Sequence, residues 1–141
     1  MIESYRTECG RLLCLRDIEK EELKTSKVAK LPGPLPQSIR AGNLLLIPCG
    51  PITPDGALVT EDFELATVQM MENTKTILEE AGSSMDKVIR VDVYLKRIED
   101  TELFNKIYTR YFKEPYPVRS LIQPARTPSD TPCAMVVTAL I

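Results

Sequence analysis

The chain contains no histidine and no tryptophan, and only three phenylalanines among its 141 residues. Without imidazole there can be no serine–histidine triad, no histidine general base and no histidine-ligated metal. Long apolar runs are missing too. The longest, Ala134 to Ile141, is broken by Thr138 and falls far short of the roughly 20 residues needed to cross a bilayer, so it reads as a buried strand and no membrane partner is expected. Excess positive charge is also lacking. Lys and Arg number 18 against 20 Asp and Glu, for a net charge of -2. No dense basic stripe is present, which argues against nucleic acid as a partner. The beginning of the sequence has no apolar core of a secretory signal. Arg6, Arg11 and Arg16 are spaced as in a transit peptide, but Glu3, Glu8, Asp17 and Glu19 offset them. The cytoplasm is the expected compartment.

What is present describes an ordinary globular protein, with 43% hydrophobic and 27% charged residues. The length suits one domain with a modest core. In a reducing compartment the four cysteines, Cys9, Cys14, Cys49 and Cys133, read as free thiols. Cys9 and Cys14 lack a second ligand pair, so no metal site is expected.

Along the chain, Arg11 to Arg16 has the composition of a short strand, and Asp17 to Lys30 is charge-rich and solvated. Three prolines and a glycine between Lys30 and Gln37 predict an ordered loop. Gly42-Asn43 predicts a tight turn into a strand at Leu44–Ile47, which Pro48-Cys49-Gly50-Pro51 ends sharply. From Asp62 to Ala81 the residues Thr67, Met71, Thr74, Leu78 and Ala81 recur at helical spacing, with Gly82 as the stop. Val88 to Leu95 alternates as a half-buried strand, with Ile89, Val91, Val93 and Leu95 predicted inward. A second helix starts at Asp100-Thr101 and buries Phe104, Ile107, Tyr108 and Tyr111. Strands at Ser120–Gln123 and Cys133–Ala139 follow. This order predicts an α+β fold, two helices layered on one sheet.

Arg119 stands out in Tyr116-Pro117-Val118-Arg119-Ser120-Leu121, between the second helix and the terminal strand. With imidazole chemistry and histidine-ligated metals excluded, a permanently charged guanidinium is the best anchor for a small anionic metabolite. The competing reading is an arginine paired to a surface carboxylate.

Four collinear pieces resemble the RidA (YjgF) family. They are Pro32-Gly33-Pro34; Gly42 through Gly50; Glu72-Asn73-Thr74-Lys75 through Leu95; and Phe104 through Phe112 followed by Pro117-Val118-Arg119-Ser120. The resemblance implies a chorismate-mutase-like single layer of two helices on a mixed sheet over residues 27–141. Residues 1–26 then form an N-terminal extension, a strand or a flexible arm. It also implies a homotrimer with clefts between subunits, no cofactor, and hydrolysis of reactive imines or enamines to 2-oxo acids and ammonia. By the same resemblance Arg119 holds the substrate carboxylate, and Gly50, Leu35, Leu121, Asn105 and Tyr94 line the site. Cys49, where the family has serine, is either a reactive group activated by Arg119 or a small lining residue.

Three departures bear on chemistry. The tyrosine of the family's proline loop is Leu35, the cysteine two residues after the arginine is Leu121, and Ala134-Met135-Val136-Val137 carries no counterpart of the family's strand glutamate. A drier cleft without a carboxylate suits hydrolysis poorly. That leaves a non-hydrolytic isomerase, cyclase or condensation enzyme, or a non-catalytic trimer binding metabolites, beside the deaminase reading. RNA cleavage is sometimes attached to the family, but no basic stripe or histidine pair supports it here.

Overall fold

A computed structural model describes residues 18–141; the strand expected at Arg11–Arg16 lies outside the described residues. Eight elements follow in order: β1 (Lys20–Leu23), β2 (Ser38–Ala41), β3 (Leu44–Cys49), α1 (Phe63–Glu80), β4 (Val88–Leu95), α2 (Thr101–Tyr111), β5 (Val118–Ile122) and β6 (Cys133–Leu140). The six strands form one mixed sheet in the order β1-β2-β3-β6-β4-β5. Only β4 and β5 are parallel, because α2 carries the chain back across the sheet between them. Both helices lie on one face, the expected α+β layer.

Local chemistry explains most boundaries. Asp62 caps α1 by accepting a 2.9 Å bond from Leu65 N. Gly82, with φ of 81°, allows the left-handed residue that ends the helix. α1 buries Met70, Met71, Ile77 and Leu78. The hydroxyls of Thr67 and Thr74 donate back to Phe63 O and Met70 O at 2.8 Å, so their burial leaves neither unpaired. α2 buries Phe104, Ile107 and Tyr108 against the same sheet face.

The structure differs from the sequence reading at three places. β1, Lys20-Glu21-Glu22-Leu23, is exposed as its charges suggest, yet its backbone pairs with β2. An edge strand needs only one row of ladder bonds, and charged side chains are normal there. β2 is a second unanticipated strand, joined to β3 through Gly42 and Asn43 with Gly42 at φ 59°. Finally, Ile89 does not point inward. A register shift against β6 between Val88 and Arg90 turns Val88 into the core and leaves Ile89 42% exposed.

The sheet face opposite the helices has no cover from the described residues. Leu44 and Leu46 of β3, Val136 and Leu140 of β6, and Val118 and Ile122 of β5 are exposed, at positions alternating with the buried ones. Arg90, Asp92 and Tyr94 of β4 share that face.

Core and surface positions should respond differently to truncation. Phe104→Ala, at a fully buried site, should lower unfolding free energy by about 3–5 kcal/mol in urea titrations. Asp62→Ala should cost about 1 kcal/mol through the lost cap, and Leu65→Ala, at an exposed helix position, no more than about 0.5 kcal/mol.

Candidate functional site

Arg119 lies on β5 beside Val91 of β4, so its side chain leaves the sheet on the helix side, next to α2. Its Nη1 donates to Asn105 Oδ1 at 2.8 Å. The guanidinium carbon sits 4.8 Å from the centre of the Tyr108 ring, within cation–π range. Tyr108 is itself wedged between Phe112, 4.4 Å between ring centres, and Tyr116 at 6.5 Å. The tyrosine therefore offers a fixed platform, and Asn105 fixes the rotation of the guanidinium. Its remaining N–H groups face a concavity of about 410 Å³ lined by Asn105, Tyr108, Thr109, Tyr116, Pro117 and Arg119. Among the described residues Arg119 makes no salt bridge, so the surface-pair reading finds no partner. A neutral amide and an aromatic face hold this cation without neutralising it.

A second cavity, about 400 Å³, opens at the far end of β3. Leu35, Cys49, Gly50 and Tyr94 meet there, with Leu31 and Ala134. Leu31 packs directly over Gly50: a Cβ built on Gly50 would lie 2.7 Å from Leu31 Cδ2, so a side chain at 50 cannot enter without displacing it. Gly50 N–H has no backbone acceptor among the described residues. Its carbonyl accepts from Asn73 Nδ2 at 3.3 Å, and the same amide nitrogen donates to Ile52 O at 2.7 Å. Asn73 Oδ1 accepts from Gln69 Nε2 at 2.8 Å. A buried asparagine on α1 thus pins the loop that presents Gly50.

The Cys49 thiol is buried and donates to Ile47 O at 3.4 Å. Burial pushes it up to about 12, against a lesser opposing effect of Thr74. Arg119 is not among its influences, so the activation expected from Arg119 does not arise within one chain. The thiol stays neutral near pH 7 and acts as a small wall of the cavity.

The structure therefore divides the sequence-derived site. Arg119 and Asn105 belong to one cavity, and Leu35, Cys49, Gly50 and Tyr94 to the other; the two share no lining residue. Leu121 lines neither cavity and packs half-buried against the core. Neither cavity is lined by a carboxylate. Sequence reading missed Tyr108 as the platform of Arg119, since its spacing marked it only as a core residue of α2. It also missed Asn73, although an amide inside an apolar helical stripe signals a buried bond. Arg126, in the wall of the second cavity, had no signal.

Two helices on one face of a six-stranded mixed sheet define a small single-layer α+β protein, with Arg119 on its edge strand β5. The family model described as Endoribonuclease L-PSP matches residues 27–141, and the chain belongs to that family, which includes the RidA proteins. A RutC family protein of Pyrococcus horikoshii is 42% identical over 115 residues, covering 79% of this chain and 90% of that protein. The chloroplastic Reactive Intermediate Deaminase A of Arabidopsis thaliana is 34% identical over 113 residues, covering 79% of this chain and 60% of its own. The crystal structure of RidA from the Antarctic bacterium Psychrobacter sp. PAMC 21119 superposes with a TM-score of 0.81 at 28% identity, over 86% of this chain and 99% of that one. No helix of the described residues is long and apolar enough to cross a membrane.

Thiol chemistry gives a direct check of the buried walls. Cys49 and Cys133 both rise from an ordinary 9.0 to about 12 through burial. Because the fold favours their neutral forms, their contribution to stability is complete below pH 9. It is lost as pH climbs from 9 toward 12, where the unfolded thiols ionise first. Peptide-resolved iodoacetamide labelling at pH 8 should spare both residues in the native protein and modify both in urea.

Proposed function

We propose that the protein is a small-molecule enzyme of the reactive-intermediate deaminase type, hydrolysing 2-imino acids, or their enamine tautomers, to 2-oxo acids and ammonia. One observation carries this reading: Arg119 is held by Asn105 and Tyr108 with no acidic partner among the described residues, in the wall of a concavity. Such a guanidinium can take a substrate carboxylate with two parallel N–H bonds. The similarity to the Arabidopsis deaminase supports the choice of reaction.

The site is proposed to assemble between copies. One chain offers the Arg119 half and, separately, the Gly50 half. Joining unlike surfaces of identical chains makes a heterologous contact, and such a contact closes into a ring when its rotation allows. The exposed residues Leu44, Leu46, Val136 and Leu140 supply apolar surface for a homotrimer with three clefts. The proposed setting is the cytoplasm, where Cys49 and Cys133 remain free thiols.

The chemistry proposed for the cleft is balanced and modest. Arg119 and the free N–H of Gly50 fix the carboxylate. Water adds to the C=N carbon, one of its protons passes to the nitrogen, and the resulting carbinolamine breaks its C–N bond. Ammonia leaves with the proton of the new hydroxyl, and the 2-oxo acid remains. The imine carbon is already electrophilic, so positioning supplies most of what the reaction needs. With no carboxylate lining either cavity, proton transfer runs through water and the reaction should be slow for its class. That same absence, with Ala134 in the wall, favours as a second reading a non-hydrolytic isomerase, cyclase or condensation enzyme.

Arg119→Ala should abolish calorimetric binding of 2-oxo acids, a loss of about 2–5 kcal/mol for one partner of a desolvated charge pair. Its melting temperature should remain near that of the wild type. Arg119→Lys should rescue poorly, because an ammonium cannot reproduce two parallel bonds. Unchanged affinity in Arg119→Ala would overturn the carboxylate clamp. In a separate test of assembly, light scattering at micromolar concentration should give three times the mass of the chain; a stable monomer removes the shared cleft.

A further inference from the structure

We propose that the cavity beside Gly50 is a side-chain pocket that makes the protein selective for 2-imino acids, and their 2-oxo products, with bulky apolar side chains. The inference rests on the functional reading above and names its substrate class. Gly50, whose N–H is proposed to meet the carboxylate, lines this cavity, so a substrate held there has its side chain beside the same space. The walls there are aliphatic: Leu31, Leu35, Pro48, Leu58 and Val136.

Three polar side chains of the wall are committed elsewhere. Thr127 Oγ1 donates to Thr131 O at 2.7 Å, Thr131 Oγ1 to Pro128 O at 3.2 Å, and the Cys49 thiol to Ile47 O. Arg126, the cation of the wall, makes no salt bridge among the described residues; the neighbouring Asp130 pairs with Lys96 Nζ at 2.9 Å. A polar substrate side chain entering here would give up water, with Tyr94, Ser129 and Arg126 as the uncommitted polar side chains of an otherwise largely aliphatic wall. An apolar one gains burial. The volume of about 400 Å³ also exceeds what a methyl or methylene group fills, so small substrates leave much of the pocket to water.

Apolar pockets discriminate by roughly 10–200-fold for each added methylene that they bury. Two measurements test the pocket independently of each other. In the first, an amino-acid oxidase generates the imines of leucine and of glutamine in situ, and the protein competes with semicarbazide for them. The leucine imine should be diverted with a kcat/KM at least about tenfold higher. Leu35→Ser and Leu58→Ser, at positions not fully buried, should each reduce that ratio. In the second, calorimetry compares 4-methyl-2-oxopentanoate with hydroxypyruvate. Both carry the same carboxylate and ketone, so the contribution of Arg119 cancels, and the branched acid should bind at least about tenfold tighter. Equal kcat/KM for the two imines, or a ratio unmoved by both variants, overturns the pocket. So does equal affinity for the two acids, or binding of neither. If no imine is accelerated but the branched acid is preferred, hydrolysis fails as the activity while the pocket stands.

Discussion

Both helices of this molecule lie on one face of its six-stranded sheet, and that one-sided arrangement governs the rest of the structure. α1 and α2 bury Met70, Met71, Leu78, Phe104 and Ile107 against one side. The other side keeps Leu44, Leu46, Val118, Ile122, Val136 and Leu140 in the open. A domain built this way has a core of its own and an apolar surface left over. The same one-sidedness separates the polar groups. Arg119 emerges toward the helices, whereas Tyr94 and Val136 lie on the bare face. No bending of a single chain's loops brings these together, because the sheet stands between them.

Within that frame, the arginine is positioned by groups that leave its charge available. A carboxylate partner would hold it as firmly but would cancel the charge and compete with an incoming anion. An amide oxygen at 2.8 Å and an aromatic face at 4.8 Å do neither. The Gly50 side uses a comparable economy. Asn73 ties the loop through the carbonyl of Gly50 and leaves its N–H without a backbone acceptor among the described residues, and Leu31 closes the space where a side chain would have been. Both halves depend on residues that touch no ligand themselves.

Much of the fold was legible because two periodicities were clean. The apolar positions of α1 recur at helical spacing between a capping aspartate and Gly82, and the helix runs from Phe63 to Glu80 as those signals require. The alternation of Val91, Val93 and Leu95 identified β4. It misplaced Ile89 because a bulge adds a residue without changing the local composition. β1 escaped because Lys-Glu-Glu-Leu carries no apolar period; only its pairing with β2 makes it a strand. Of the site, Arg119 was legible from its proline turn and from the absence of histidine. Asn105 followed from the family resemblance. The division into two cavities was not, since it depends on which face of the sheet each strand presents, and that depends on register rather than residue type. Arg126 and Leu31 are ordinary loop residues in sequence and acquire meaning only where β3 ends.

The strand order has a consequence for how the chain comes together in time. β6 lies between β3 and β4, so it is the seam of the sheet although it is the last strand in chain order. During synthesis, β1, β2 and β3 can pair as a meander, and β4, α2 and β5 can form a crossover unit. Until Cys133–Leu140 pairs, each of those parts presents an unpaired edge. β6 is thus the strand of the described sheet that ties its two halves together, and loosening its ladder on either side would split the sheet along that seam.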